Sequence, residues 1–246
     1  LAAVMTPTRA RVVRTWIGSE RAVEGKTRVT FVWEAVPRTP GDAVRSGETP
    51  ARVSLTAVGP DGTPYFRGRV PADSSGSAAR PASGSRVSFD APPGKIQLRL
   101  SIESAAAEVL DSETREIDVP DLTTPQTALG TPGVFRARTQ RDYLQLKGDL
   151  QATPTAGREF SRTERVFIRV PVYTPAGAPA TVTARLLNRS AQPMGDLVVS
   201  PSASDPAVKE IDLALAPMPP GEYLVEIVVA GPGEPIKDVL GFRVGS

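Results

Sequence analysis

No cysteine and no histidine occurs anywhere in the 246-residue chain. Without cysteine there is no disulfide, thiolate nucleophile or Cys/His zinc site. Without histidine there is no Ser-His-Asp triad and no haem axial histidine, and the side chain best suited to proton transfer near neutral pH is missing. Aromatic residues make up only 5%, and the arginines are scattered along the chain. That combination argues against nucleic acid, which needs a concentrated basic face with stacking or groove-reading elements. With 29 basic residues against 27 acidic ones the formal charge is only +2, so the chain is not a polyelectrolyte binder. The excess of arginine over lysine fits a GC-rich genome. No apolar run approaches the ~18 residues of a spanning helix, so no transmembrane segment of its own is expected. The opening LAAVMTPTRARVV has no charged start followed by an apolar stretch, and Leu1 in place of Met is expected for a processed or excised chain.

At 40% hydrophobic residues and a mean hydropathy of -0.15, the composition is that of a folded, soluble protein. Its length suits two ordinary domains. One phrase is written twice. APPGKIQLRLSIE (91–103) and MPPGEYLVEIVVA (218–230) each place a Pro-Pro-Gly turn before a run with alternate apolar residues: Ile96, Leu98, Leu100 and Ile102, then Tyr223, Val225, Ile227 and Val229. The match extends outward. RVTFVWEAV (28–36) aligns with RVFIRVPVY (165–173), and ARVSLTAV (51–58) aligns with ATVTARLL (180–187). Polar turns follow, with Pro64 and Pro193 at equivalent points, and RVSFD (86–90) answers EIDLA (210–214). The spacing drifts between copies only where loops would fall, as in homologous domains.

Period-2 alternation bounded by Gly, Pro, Asp and Ser reads as half-buried antiparallel strands. Several short strands per copy predict an all-β chain of two tandem immunoglobulin-like or fibronectin III-like β-sandwich domains. The expected limits are 1–122 and 123–246, with DLTTPQTALGTPG (121–133) at the boundary. Opening strands are expected at 9–17 and 133–138, closing ones at 114–119 and 239–244. Tyr223 stands where such sandwiches carry a corner tyrosine whose hydroxyl bonds back to the backbone; the first copy has Ile96 there. PADSSGSAARPASG (71–84) and PRTPGDAVRSGETP (37–50) are expected as surface loops, the first of them mobile.

TQRDYLQLKGDL (139–150) breaks the alternation. Thr139 and Asp142 form a capping signal, and Tyr143, Leu146 and Leu150 share a helical face. One short helix is therefore expected near 139–150, covering an open sandwich edge, with Gly148 weakening its last turn. Around it Arg136, Arg138 and Arg141, with Arg158, Arg162, Arg165 and Arg169, make a locally basic region. These are candidates for binding anionic groups, weighed against ion pairing with Asp142, Glu159 and Glu164. Glu116 and Asp118 share a strand face and Asp121 follows, the one grouping that suggests calcium. No Asp-x-Asp-x-Asp-Gly loop accompanies it. Charges that discourage edge pairing are the simpler reading. Asn188-Arg189-Ser190 matches the glycosylation tripeptide but sits where a turn wants Asn.

The phrases GKTRVTFVWEAVP, PARVSLTAVGPDGTPYFRGRV, VSFDAPPGKIQLRLSIE, VPDLTTPQ, REFSRTERVFIRV, TARLLNRSAQPMGDLVV and PPGEYLVEIVV together resemble the region that follows the von Willebrand factor A domain in bacterial VWFA-related exported proteins. The resemblance implies tandem sandwiches, a periplasmic or extracellular location and an interaction role. It does not bring the A domain's metal site, since no Asp-x-Ser-x-Ser motif is present. The expectation is a non-catalytic scaffold or protein-interaction module with a protein partner in the cell envelope and no cofactor. It would be an accessory subunit of an envelope complex or a fragment of an adhesion-type protein. The alternative is a carbohydrate-binding or carbohydrate-active module. That reading needs an aromatic platform, for which Trp16, Trp33, Tyr65 and Phe66 are the N-terminal contributors and Trp16 and Tyr65 the interaction candidates.

Overall fold

The structure, a computed structural model, describes residues 12–37, 49–71, 85–123, 125–175 and 178–245. Residues 9–11 of the expected opening strand and most of the two expected surface loops lie outside that set. The chain divides into two compact units, Pro7–Asp121 and one that takes in Leu122–Ser246.

In the first unit the strands are β1 (Val13–Arg21), β2 (Thr27–Ala35), β3 (Pro50–Val58), β4 (Pro64–Val70), β5 (Ser85–Ala91), β6 (Gly94–Ser104) and β7 (Val109–Val119). They form one sheet in the order β1-β2-β5 and another in the order β4-β3-β6-β7. Three strands face four, with the fourth strand in the second sheet, which is the fibronectin III-like form of the sandwich. Alternation decides what is buried. Val29, Phe31 and Trp33 from one sheet meet Val53, Leu55, Ala57, Ile96, Leu98 and Leu100 from the other, each nearly or fully buried. Each such aliphatic side chain stabilises the fold by roughly 1.5–3 kcal/mol. The Trp33 indole satisfies its polar edge by donating to the Val70 carbonyl at 2.8 Å. Gly94 begins β6 at φ 126°, a backbone conformation L side chains rarely adopt, which explains the glycine after Pro92 and Pro93.

The second unit contains β8 (Ala128–Leu129), β9 (Gly133–Ala137), α1 (Gln140–Gly148), β10 (Glu159–Ser161), β11 (Arg165–Tyr173), β12 (Thr181–Asn188), β13 (Pro193–Leu197), β14 (Val199–Pro201), β15 (Val208–Ala214), β16 (Gly221–Ala230) and β17 (Ile236–Gly245). One sheet runs β10-β17-β16-β12-β13, and the other runs β14-β15-β11-β8, with β9 also paired to β11. Strand β10 lies parallel to β17, whereas the other pairings here are antiparallel. The strand that follows β13 crosses to the opposite sheet as β14, which makes this copy immunoglobulin-like in its strand order. Both copies shift register at the same place, beside Pro64 and beside Pro193, so the repeat seen in sequence extends to an irregularity of the ladder.

The corner tyrosine is present: the Tyr223 hydroxyl donates to the Pro219 carbonyl at 2.8 Å. In the turn at Asn188 the side-chain oxygen accepts from the amides of Ser190 and Gln192, 2.9 Å each. That asparagine therefore has a structural task in its turn.

The helix differs from expectation in three ways. It runs Gln140–Gly148 with Thr139 as N-cap, so Leu150 lies beyond it and is 37% exposed. Gly148 is its last residue rather than a weakness within it. It covers a sheet face and not an edge: Tyr143 meets Phe167 edge to face, 5.8 Å between ring centres. Phe167 sits on the outer side of β11, since Val166, Ile168, Val170 and Val172 occupy the core side.

Both tryptophans belong to the first unit, so tryptophan fluorescence follows that sandwich alone. Replacing Tyr223 by Phe removes one partly buried hydrogen bond and leaves the Pro219 carbonyl without that donor, which costs about 1 kcal/mol. Urea denaturation should show the far-ultraviolet circular dichroism transition of Tyr223→Phe moving to lower urea while the tryptophan transition stays in place. An unshifted dichroism curve would remove the corner bond from the account of stability.

Candidate functional site

Two of the arginines singled out in the sequence, Arg136 and Arg138, meet in space through strand alternation at an edge. Arg136 on β9 and Arg138 just past it are two residues apart and so fall on one side of the chain. Both reach Glu164, which closes the turn between β10 and β11. Arg136 donates to its carboxylate at 2.8 Å and Arg138 at 3.3 Å, while the Ser161 amide donates at 2.9 Å. Arg136 also donates to the Glu159 carbonyl at 2.7 Å and lies 4.6 Å from the centre of the Phe160 ring. The Glu164 side chain is only 9% exposed. Burial pushes its carboxyl up, but the Ser161 amide and the two guanidinium groups more than offset this and hold it below the ordinary value of 4.5.

From this cluster Arg138 and Glu164 line a solvent-open cleft of about 220 Å³, together with Thr139, Arg162, Thr163 and Leu215. The start of α1 sits on one side. Two amides there are occupied: Thr139 and Asp142 form a capping box in which the Thr139 hydroxyl accepts from the Asp142 amide and the Asp142 carboxylate accepts from the Thr139 amide, 3.1 Å each. On the other side Arg162 donates to the Ala216 carbonyl at 2.9 Å. Arg165, also in the lining, is held by Asp212 and lies 4.9 Å from the centre of the Tyr143 ring. Burial and the neighbouring Asp212 push the Tyr143 hydroxyl's pKa up, so that group stays protonated as a donor.

The position of α1 is set from below by Arg169. Its guanidinium lies against the rings of Phe135 and Phe167, at 4.9 and 5.4 Å. It donates to the carbonyls of Asp149, at 2.8 Å, and Leu146. The Leu146 carbonyl also accepts from the Asp149 amide at 3.3 Å, so the guanidinium adds a second donor where the helix ends. The third arginine expected at the site, Arg141, is exposed on α1 and is not among the cleft's lining residues. The basic region read from the sequence thus includes both Arg138 and Arg162, and the ion pairing weighed there is present, since Arg136 and Arg138 both pair with Glu164; what the sequence does not show is which of its arginines share one cleft. The Thr-x-x-Asp capping signal next to them was the available pointer.

The remaining candidates do not gather. Glu116 pairs with Lys95 at 2.8 Å, raising the lysine's pKa, and Asp118 faces Lys95 across the ladder. Asp121 is exposed. Among the described residues no group of three or more carboxylates is placed to hold a metal ion. Trp16 is half-buried and its ring lies over Gly18, where a Cβ would overlap it; Tyr65 likewise lies against Gly59. Trp16 is on β1, at the edge of one sheet, and Tyr65 is on β4, at the edge of the other.

No family model matches the chain, and no curated protein matches it. Two solved structures align over nearly its full length. Fibronectin(III)-like modules of Clostridium thermocellum CbhA are 12% identical, covering 94% of this chain and 93% of that one, with a TM-score of 0.24. A pair of titin Ig tandem domains is 7% identical, covering 96% of this chain and 99% of that one, with a TM-score of 0.25. Superposition this loose supports no statement about this chain.

The depressed pKa of Glu164 has a definite sign. Its stabilisation is complete above the ordinary carboxyl value of 4.5 and is lost as pH falls through the lower folded value. Glu164→Gln should lower stability by about 2 kcal/mol at neutral pH, because three donors lose a charged acceptor. The two melting curves should converge as pH drops below that range. A constant gap at all pH values would show that Glu164 acts by shape and not by charge.

Proposed function

We propose that this chain is a non-catalytic scaffold or protein-interaction module that works outside the cytoplasm. The observation that carries the reading is the cleft of the second sandwich. Its charged donors are guanidinium groups, which stay protonated and cannot exchange protons near neutral pH. They are fixed by a buried carboxylate and by backbone carbonyls and still present N–H groups to solvent. Such a surface recognises anionic or carbonyl-bearing groups. The resemblance to the downstream region of VWFA-related exported proteins supports a periplasmic or extracellular place, as an accessory subunit or part of an adhesion-type protein. Among the described residues no helix is long and apolar enough to cross a membrane. The carbohydrate reading loses ground because Trp16 and Tyr65 stand on different sheets and each lies against a glycine of its own unit.

The test is affinity capture from envelope extracts of the source organism, run beside a glycan array. The expected result is a protein partner retained saturably, in fixed stoichiometry, and equally by Trp16→Ala and Tyr65→Ala variants. Glycan binding that disappears in either variant, with no protein retained, would replace this reading by the carbohydrate one.

A further inference from the structure

We propose that the cleft between Arg138 and Arg162 docks a carboxylate carried by an acidic segment of a partner polypeptide. The proposal rests on the interaction-module reading and adds the chemistry of the contact.

A guanidinium presents five N–H donors in a planar fork. Arg138 commits one to Glu164 and Arg162 one to Ala216. The Arg138 side chain is 69% exposed, and Arg162 is exposed as well. Each lip of the cleft therefore holds a cation that is anchored at one nitrogen and open at the others. Anchoring reduces the rotamer freedom lost on binding, which makes the pair a better receptor than two free side chains.

Charge identifies the occupant. Around the cleft Arg136, Arg138, Arg162 and Arg165 stand against Glu164, Asp212 and Asp142. Four cations less three carboxylates leave an excess of one. That suits a single carboxylate received side-on by guanidinium forks. It suits a polyanion poorly, since Glu164 and Asp212 lie immediately behind the lips and would repel further negative charge. The cleft is open to solvent and small, about 220 Å³, which fits an acidic side chain reaching in from an extended segment.

The probe is a fluorescein-labelled peptide of alternating Glu and Gly, compared with its Gln counterpart by fluorescence anisotropy. The intact chain should bind the Glu peptide about tenfold more tightly, a preference that weakens with added salt. Arg138→Ala combined with Arg162→Ala should abolish the preference, while Arg67→Ala in the first sandwich should leave it unchanged. Glu164 keeps Arg136 and the Ser161 amide in the double variant, and circular dichroism checks that the sandwich is intact. Should the double variant unfold, Arg162→Gln alone serves, because its one bond goes to an exposed-loop carbonyl; a preference reduced at least threefold is expected. Equal affinity for the two peptides, or a preference that survives loss of the arginines, overturns the proposal. So does displacement of the peptide by inorganic phosphate at lower concentration than by glutarate. A partner captured equally by intact chain and double variant would refute this contact while leaving the interaction-module reading in place. No partner captured by either would refute that reading itself.

Discussion

The guanidinium of Arg169 ties the helix of the second sandwich to the outer face of its sheet. It emerges from the outer face of a central strand, lies against Phe135 and Phe167, and donates to two carbonyls at the end of α1. Burying a cation there is tolerable because aromatic faces and oriented carbonyls replace its hydration. The helix is short, and none of its residues is buried, so it does not hold its place through its own apolar face. At one end the capping box satisfies the amides of Thr139 and Asp142, and at the other Arg169 donates to the carbonyls of Leu146 and Asp149. The cleft lies at the capped end and inherits its shape from this attachment.

A second motif recurs in both units. In the first, Glu103 is 8% exposed and accepts from Ser54 at 2.6 Å and Arg52 at 3.0 Å, with Arg69 at 3.8 Å. The Ser54 hydroxyl, together with the arginines, holds its carboxyl below the ordinary range. In the second, Glu164 is treated the same way by Ser161, Arg136 and Arg138. A nearly buried carboxylate must be paired or it raises its pKa and neutralises. Each copy meets that demand with two arginines and a serine. The positions differ, however: Glu103 ends β6, on a sheet face, while Glu164 sits in the turn before β11. The likeness is therefore one of chemistry and is separate from the inherited repeat of strands.

What could be read from the sequence follows from how each strand is buried. β6 and β16 have one buried face, so their alternation is plain: Ile96, Leu98, Leu100 and Ile102 are nearly or fully buried, as are Tyr223, Val225, Ile227 and Val229. β11 is covered on both faces, by the core and by α1, so Phe167 and Arg169 are 1% and 5% exposed. Alternation carries no information about which side is solvated there, and Arg169 reads as an ordinary surface arginine. β10 and β14 have three residues each, too few for a period to register. Arg162 and Glu164 acquire their meaning from contacts with Ala216 and Arg138, 54 and 26 residues away. No local pattern encodes such meetings.

The two copies differ most where β1 meets β2 and, correspondingly, where β9 meets β11. In the first unit that connection is a tight turn closed by the Ala22 amide on the Lys26 carbonyl at 3.0 Å. In the second it contains α1, β10 and the turn bearing Glu164. The core sheets constrain such a connection little, since their strands pair with or without it. An insertion there adds surface while leaving the alternating core intact, which is where a duplicated sandwich can diverge at least cost to stability. The same insertion brings a capped helix, an anchored pair of arginines and the cleft between them, which is why the proposed recognition surface falls on the second sandwich. In the first sandwich the Ala22–Lys26 turn closes the same connection without an insertion.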